Sequence, residues 1–323
     1  MQRSAYFRAA ISLLCASLAC SNAASAQPGA SSTFTGTWVM RLGERNLFVI
    51  TIAPGAGGIT GTFDGPAHYA STNSIFANIS HSVRQDKIVR ARIEGSVLHF
   101  TARNANDPAD EDDYAMTVHG DKGSLTIDDL PANVVIEPRL LLRVAAGATV
   151  ATDWQPNRAY TANDSDTPSS EMKAIFDEDQ LVRQAQQIDW KTVTQTDADR
   201  REATRKLLED GALHTGKDFE EAAFVFQHGD KPQDYLLAHT LAMVAVSKGD
   251  PTAIWIASAT LDRYLQNIGQ KQIFGTQFKS NAKGEWTQGP YDRDLVSDPL
   301  REDLGVPDQL TQEKQLKAYQ SKK

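Results

Sequence analysis

Between Phe34 and about Val144, hydrophobic and polar residues alternate with a period of two, and short turn sequences interrupt the alternation. This pattern is typical of strands that bury one face, and glycine-rich stretches such as residues 54–58 suit the turns of hairpins. No helical period interrupts the region, so we predict an antiparallel meander that closes into a barrel or sandwich. The predicted strands are 34–42, 47–52, 59–63, 75–83, 88–93, 97–102, 114–118, 125–127 and 134–142.

The pattern changes after a segment rich in Ala, Thr, Ser, Asp and Asn, and beyond it the hydrophobic period becomes 3.6. We predict an α+β chain with an antiparallel β-domain over 32–145, a linker over 146–169 and an all-α helical-hairpin domain over 170–323. A small hairpin (272–278 with 284–287) and a short polar helix are expected near the end. The predicted helices are 168–189, 197–210, 217–228, 232–248 and 251–268.

The first 26 residues have the features of a secretory signal peptide. Arg3 and Arg8 precede an apolar run over 9–20, and Ala24-Ser25-Ala26 supplies small residues at a cleavage site. We therefore expect an exported protein, periplasmic or extracellular. Lipidation at Cys20 is an alternative, although Ser17 occupies the position where a lipobox usually carries a large aliphatic residue. Retention of the segment as an anchor is a third.

The amino-acid composition and charge limit the classes of partner that the chain is expected to bind. Hydrophobic residues make up 41% and charged residues 23%, which is typical of a globular protein. The net charge is −8, and Lys and Arg form no cluster, which disfavours binding to nucleic acid or to an anionic membrane. The two cysteines, Cys15 and Cys20, both lie in the predicted signal peptide. We therefore expect no disulfide and no thiol chemistry after cleavage.

Most catalytic signatures are missing from the chain. The sequence has no His-Glu-x-x-His, no Gly-x-Ser-x-Gly and no phosphate-binding Gly-Lys-Ser/Thr. The acidic segment 107–113 lacks the regular ligand spacing of a calcium loop, and we interpret it as a solvated hairpin tip. The sequence thus predicts neither a metal nor another cofactor, and it leaves open whether the protein is an enzyme.

Polar residues in the first predicted helix fall on its apolar stripe. Met172 and Phe176 define the stripe, and at 100° per residue Asp179 and Arg183 lie on the same face. Four residues separate the acid from the arginine, so the two side chains can pair along the helix. An inward pair of charges costs stability, and a functional site can justify that cost. The alternative is a core stripe centred on Leu181, which would leave the pair in solvent.

Two further helices carry candidate residues. The helix over 217–228 is apolar almost all round and closes with Gln227 and His228. A histidine there can act as a general base, or it can interact with the last carbonyls and the negative end of the helix dipole. In the helix over 251–268, Asp262 lies on a polar stripe at one flank. That flank lines either a groove or solvent.

These positions belong to five ordered motifs, which are Asp179-Gln180-x-x-Arg183, Gln227-His228-Gly229-Asp230, Leu261-Asp262-Arg263, Gln272-Ile273-Phe274-Gly275-Thr276-Gln277-Phe278 and Arg301-Glu302-Asp303-Leu304-Gly305. Over residues 170–318 the chain resembles an uncharacterised domain family of bacterial proteins. The resemblance implies a domain boundary and a set of polar positions, but no reaction. Gly229 departs from the acidic or small residue expected in the second motif, and Phe274 replaces a tyrosine. In the first half, Gly36-Thr37-Trp38 resembles the opening of lipocalin-like barrels, although a tryptophan that plugs a small sheet explains it equally well.

We consider three functions. The leading hypothesis is a binding module whose helical domain presents a polar pocket to a small polar ligand or a peptide terminus. A second is an envelope hydrolase with His228 as general base and Asp262 as its partner or as the acid. A third is a non-catalytic scaffold that contacts envelope proteins. The candidate ligand-binding residues are Asp179, Gln180, Arg183, Gln227, Arg263, Gln272, Thr276 and Gln277.

Overall fold

The computed structural model describes residues 30–72, 75–128, 137–161, 164–185, 187–281 and 284–321. The predicted signal peptide, with both cysteines, lies outside the described residues. In the described part, no helix combines the length and the apolar character needed to cross a bilayer.

The first half forms a closed barrel of eight antiparallel strands, which confirms the predicted antiparallel fold and selects the barrel over the sandwich. The strand order around the barrel is β1-β10-β9-β8-β7-β6-β3-β2, and β4 pairs with β5 in a separate two-stranded sheet. The strands are β1 (Gly36–Leu42), β2 (Arg45–Gly55), β3 (Gly58–Pro66), β4 (Ala70–Thr72), β5 (Ile75–Ala77), β6 (Val83–Glu94), β7 (Val97–Asn104), β8 (Glu111–His119), β9 (Lys122–Ile127) and β10 (Arg139–Arg143).

The predicted strand 75–83 is divided in the structure. β5 ends at Ala77, and Asn78 adopts φ 52°. A non-glycine residue in the left-handed region cannot continue an extended strand. The chain therefore turns at Asn78, and the long strand β6 begins only at Val83.

Trp38 lies at one end of the barrel. Its side chain is fully buried, and its indole Nε1 donates to the Phe34 carbonyl at 2.8 Å, in the short helix α1 (Ala30–Phe34). The guanidinium of Arg143, on β10, lies 4.0 Å from the centre of the Trp38 ring. Gly36 has φ 131°, a conformation that side chains disfavour, which explains the glycine two residues before the tryptophan. Helix α1, Trp38 and Arg143 therefore contact one another where β1 begins and β10 ends.

Side chains also fill most of the barrel interior. Ile50, Leu98 and Met116 are each buried and belong to one continuous hydrophobic core. A cavity of about 90 Å³ lies beside Phe63 and Tyr114, with Arg84, Asp86 and Asp112 among its lining residues. Drug-sized ligands occupy cavities of about 300–1,000 Å³, so this space is small for a ligand.

Helices follow the barrel, as the period of 3.6 predicts. They are α2 (Ser170–Arg183), α3 (Trp190–Glu209), α4 (Gly216–Phe226), α5 (Pro232–Ser247), α6 (Ala253–Asn267), α7 (Asp298–Asp303) and α8 (Gln309–Ser321). The predicted start of the second helix at 197 is wrong. The Asp189 side chain accepts from the backbone nitrogens of Lys191 and Thr192 and caps the helix seven residues earlier. Asp197 therefore lies inside α3 rather than at its end.

A hairpin is present near the end, but the predicted first strand at 272–278 is wrong, because the paired residues come after it. It pairs β11 (Lys279–Ser280) with β12 (Trp286–Thr287). Within residues 272–278, only Gln272 makes a β-type pairing, an isolated parallel bridge to Tyr291. The rest of that segment is a loop, whose contacts are described below.

The predicted linker residues contact both halves of the chain. The backbone of Tyr160 pairs with Phe76, and Tyr160 belongs to the barrel core. The backbone nitrogen of Ala159 donates to the Ser247 carbonyl at 2.7 Å, at the end of α5. The buried carboxylate of Asp164 pairs with Lys248, one residue further on.

Candidate functional site

Helices α2, α3 and α4 bring several charged side chains together, and we call this group the Asp179 cluster: Asp179, Arg183, Asp197, Arg200 and His228. Asp179 has no exposed surface, whereas Leu181 is 67% exposed. The apolar stripe of α2 therefore runs through Asp179, as the inward-pair hypothesis predicts. A charge at such a position needs partners, because burial in an apolar environment disfavours an isolated carboxylate.

The carboxylate of Asp179 has partners of three kinds. Arg183 Nη1 donates to Oδ1 at 3.0 Å, and Gln180 Nε2 donates to Oδ2 at 2.8 Å. His228 Nδ1 lies 3.1 Å from Oδ1, and Arg200 Nε lies 3.6 Å from the same atom. Charge-assisted hydrogen bonds of this kind compensate the cost of burying the carboxylate.

Asp197 is the second acid of the cluster. Arg183 Nη2 donates to its two oxygens at 2.9 and 2.8 Å, and Arg200 Nη2 donates to Oδ1 at 2.7 Å. Burial raises the pKa of Asp197, but the hydrogen bonds from Arg183 and Arg200 and the nearby positive charge together lower it by more, so its pKa lies below the ordinary value. Arg183 thus bridges two acids on different helices.

Neither Asp197 nor Arg200 was among the candidate residues predicted from the sequence. The predicted helix over 197–210 placed Asp197 at a helix start, where an aspartate serves as a cap. The available signal was their spacing of three residues, which places an acid and an arginine on one face of a helix that begins at Trp190. Misplacing the start of that helix hid the pairing.

His228 reaches the cluster from the end of α4. A capping box starts the helix, with the Thr215 hydroxyl and the Asp218 carboxylate each bound to the other's backbone nitrogen, and Gln227 caps its end. Arg201 Nη1 donates to the backbone carbonyl of His228 at 2.7 Å, so the backbone of this residue is held as well as its ring. The imidazole is 19% exposed. Its position is therefore fixed while part of the ring still meets solvent.

The contact with Asp179 determines the tautomer of His228. A carboxylate only accepts hydrogen bonds, so Nδ1 carries the proton and donates it. In the neutral ring Nε2 then has a free lone pair. Nε2 has no hydrogen-bond partner among the described residues, and it is not a sealed buried atom. The cluster therefore presents one unsatisfied acceptor.

Among the described residues, Asp179, Asp197 and His228 form a group that could hold a metal ion. One ligand atom from each lies within 4.8 Å of the others. However, the guanidinium groups of Arg183 and Arg200 bind the carboxylate oxygens and balance their charge. A cation would have to displace both arginines, so this donor set fits a metal ion poorly.

A second group of predicted residues lies around Asp262 on α6. Asp262 is fully buried, and Oδ1 accepts from the backbone nitrogens of Ile273 and Phe274 at 2.8 and 3.0 Å. Oδ2 accepts from the backbone nitrogen and the hydroxyl of Thr276 at 2.9 and 2.8 Å. The four bonds fold the segment 273–276 into the loop observed in place of a strand.

The amides beside Asp262 hold the same loop. Gln277 backbone nitrogen donates to Gln272 Oε1 at 3.0 Å, and Gln272 Nε2 donates to the carbonyls of Gln277 and Gln288. The fully buried Arg301 donates to the Phe274 carbonyl at 2.5 Å. Gln272, Thr276 and Gln277, predicted to bind ligand, thus all bind the loop itself.

The two residues of the predicted hydrolase pair bind different partners. The ring of His228 bonds to Asp179, Asp262 bonds to the 273–276 loop, and no hydrogen bond joins the two within the part of the chain described. Gln227 is buried at the end of α4, and Arg263 lies in neither cluster. Of the predicted binding residues, Asp179 contacts His228, and Gln180 and Arg183 bind the carboxylate of Asp179.

No family model, no curated protein and no solved structure matches this chain. The resemblances to an uncharacterised bacterial domain family and to lipocalin-like barrels therefore stay predictions.

Proposed function

We propose that the helical half binds a small polar ligand at His228, with the Asp179 cluster as the support of the imidazole. The observation that carries this proposal is the 3.1 Å contact between His228 Nδ1 and the fully buried Asp179. It orients the ring and leaves Nε2 free to accept a hydrogen bond. The ligand would supply the donor, as an amine, amide or hydroxyl group. The predicted signal peptide supports a periplasmic or extracellular role.

Arg183 has a different role in this proposal from the one predicted from sequence. Its two terminal nitrogens already bind Asp179 and Asp197. Arg183 therefore positions the acids and, through Asp179, the imidazole. A ligand carboxylate would have to compete with two internal carboxylates for it, so we assign ligand contact to His228 instead.

A second candidate, a hydrolase, is favoured by the same contact. A buried carboxylate that orients a histidine is one arrangement used in general-base catalysis, with Nε2 as the atom that accepts the proton. Asp179 takes the role that the sequence analysis assigned to Asp262. A substrate or a water molecule would then meet Nε2, and Asp179 would stabilise the imidazolium.

The tautomer of His228 provides the first test. We expect nitrogen-15 NMR of the intact protein at pH 8 to show a protonated Nδ1 and an unprotonated Nε2 at His228. The expected effect of Asp179→Asn is loss of that preference, because an amide can donate as well as accept. An unprotonated Nδ1 in the wild type would contradict both candidate functions.

Ligand binding provides the second test. We would screen free amino acids, dipeptides and monosaccharides by thermal shift on the wild type and on His228→Gln. His239→Gln is the matched control, because His239 Nδ1 binds a backbone carbonyl, that of Ala257, at 2.9 Å. We expect hits that vanish in His228→Gln and persist in His239→Gln. Hits unaffected by His228→Gln would overturn the proposed binding site.

Hydrolysis of p-nitrophenyl acetate separates the two candidates. A hydrolase predicts turnover that falls at least tenfold in His228→Gln and in Asp179→Asn. Equal rates in the wild type and both variants, together with ligand hits at His228, would leave the binding function and reject the hydrolase.

A further inference from the structure

Arg263 on α6 differs from every other arginine with a buried, unpartnered Nε in the described chain. Five arginines have such an atom. Four of them have an acid within 4 Å, in the pairs Arg45–Asp166, Arg158–Asp164, Arg200–Asp197 and Arg301–Asp298. Arg263 has no ion pair in the described part of the molecule. Its positive charge therefore lacks the compensation that the others have.

Burial makes this lack of an anion costly. Desolvation lowers the pKa of Arg263, and the nearest opposing influence is Tyr235, which is an uncharged phenol at neutral pH. The Tyr235 hydroxyl donates to the Gly229 carbonyl at 2.6 Å and so is already engaged. A partly desolvated guanidinium is stabilised when an anion binds it, and a buried donor without an acceptor calls for a missing partner.

A second unpartnered donor lies on the same face of α6. Gln266 Nε2 is buried and has no hydrogen-bond acceptor within the described residues. Gln266 follows Arg263 by three positions, so the two side chains are neighbours on the helix surface. Two adjacent groups, one guanidinium and one amide, thus lack the same thing: an acceptor oxygen.

We propose that Arg263 and Gln266 form a subsite for an oxyanion, the carboxylate or phosphate group of a ligand. The terminal nitrogens of Arg263 have no hydrogen-bond partner among the described residues and are not sealed from solvent, so the planar guanidinium can meet the paired oxygens of either group. Gln266 Nε2 is sealed, so the Gln266 amide turns outward when it donates to a third acceptor position. Neither residue shares a hydrogen bond with the Asp179 cluster. The subsite therefore goes beyond the proposed function, and the two proposals can be tested independently.

Calorimetric titration of the full-length protein with inorganic phosphate and with acetate tests the subsite, with sodium chloride at equal ionic strength as reference. We expect saturable binding of at least one anion, and the better of the two identifies the source as phosphate or carboxylate. Arg263→Gln should weaken that binding at least tenfold. Lys271→Gln, an exposed position with the same change of charge, should leave it unchanged.

Two further variants keep the result interpretable if Arg263→Gln fails to fold. Arg263→Lys keeps the charge but loses the planar fork, so we expect weaker binding in a folded protein. Gln266→Glu places a carboxylate beside Arg263, so it should abolish anion binding and raise the melting temperature.

No saturable binding of either anion to the wild type, or equal affinity in the wild type and in Arg263→Lys and Gln266→Glu, would overturn the subsite. His228→Gln should retain the phosphate or acetate affinity. That result keeps a failure of the proposed His228 site distinct from a failure of this one.

Discussion

Two buried carboxylates of the helical half, those of Asp179 and Asp262, bind different kinds of hydrogen-bond donor. Asp179 and Asp262 are both fully buried carboxylates, and both were selected from the sequence as site residues. Asp262 binds three backbone nitrogens and one hydroxyl, all from a single loop. Among the described residues, the carboxylate of Asp179 accepts hydrogen bonds only from side chains, and one of these donors, His228, is partly exposed.

This difference separates a structural carboxylate from a functional candidate. A backbone N–H that donates to a carboxylate has no other polar atom that could bind a ligand. A carboxylate bound only by such donors therefore stabilises a loop and does not position a ligand-binding group. An imidazole donor has a second nitrogen, and its state depends on the first. The chemistry of the partners, rather than burial alone, therefore indicates where a ligand can bind.

The largest effect on stability that we predict is at Asp262. Asp262→Ala should destabilise the protein by about 4 kcal/mol, because it leaves three backbone nitrogens without their acceptor. Thr276→Val, which removes one hydroxyl from the same carboxylate, should cost about 1 kcal/mol. Urea unfolding followed by circular dichroism measures both. A cost below that of Thr276→Val would show that Asp262 does not hold the loop.

A smaller effect on stability is expected at the Asp179 cluster. Asp179→Asn should cost about 2 kcal/mol, because the amide keeps the volume of the carboxylate while Arg183 and Arg200 lose one of the two acids they face. Urea unfolding gives the free energy. A loss as large as that of Asp262→Ala would erase the proposed difference between the two clusters.

The pH dependence of stability should also distinguish the Asp179 cluster from the group around Asp262. The pKa of Asp197 in the folded protein lies below its ordinary value of 3.8. The charged carboxylate therefore stabilises the fold fully above that value, and the contribution is lost as the pH falls through the folded pKa. We expect the melting temperature of the wild type to fall more steeply below about pH 4 than that of Asp197→Asn. Parallel curves would contradict this assignment.

The smallest effect on stability is expected at His228. His228→Gln removes one hydrogen bond from a partly exposed side chain, so it should cost about 1 kcal/mol or less. Ligand binding should be lost at the same time, as measured by thermal shift. A destabilisation of several kcal/mol with ligand binding intact would make His228 a structural residue and remove the contrast with Asp262.

The alternation of hydrophobic residues was enough to predict most of the barrel strands, and the spacing of Met172, Phe176, Asp179 and Arg183 was enough to suggest an inward pair as one of two alternatives. Both are local properties, because one strand or one helix presents a face that depends on spacing alone. The helix start at Trp190 was mispredicted, since Asp189 and Asp197 are equally good caps by residue type. Only the structure shows which of them binds the first backbone nitrogens.

The amino-acid sequence by itself determined a β-half followed by an α-half and the polar positions within the second. Only the tertiary structure decided that His228 belongs with Asp179 and that Asp262 belongs with a loop. The reason is geometric: a carboxylate takes the donors nearest to it, and across 49 residues of chain that distance depends on how helices pack and where loops return. Spacing in the sequence carries no information about either.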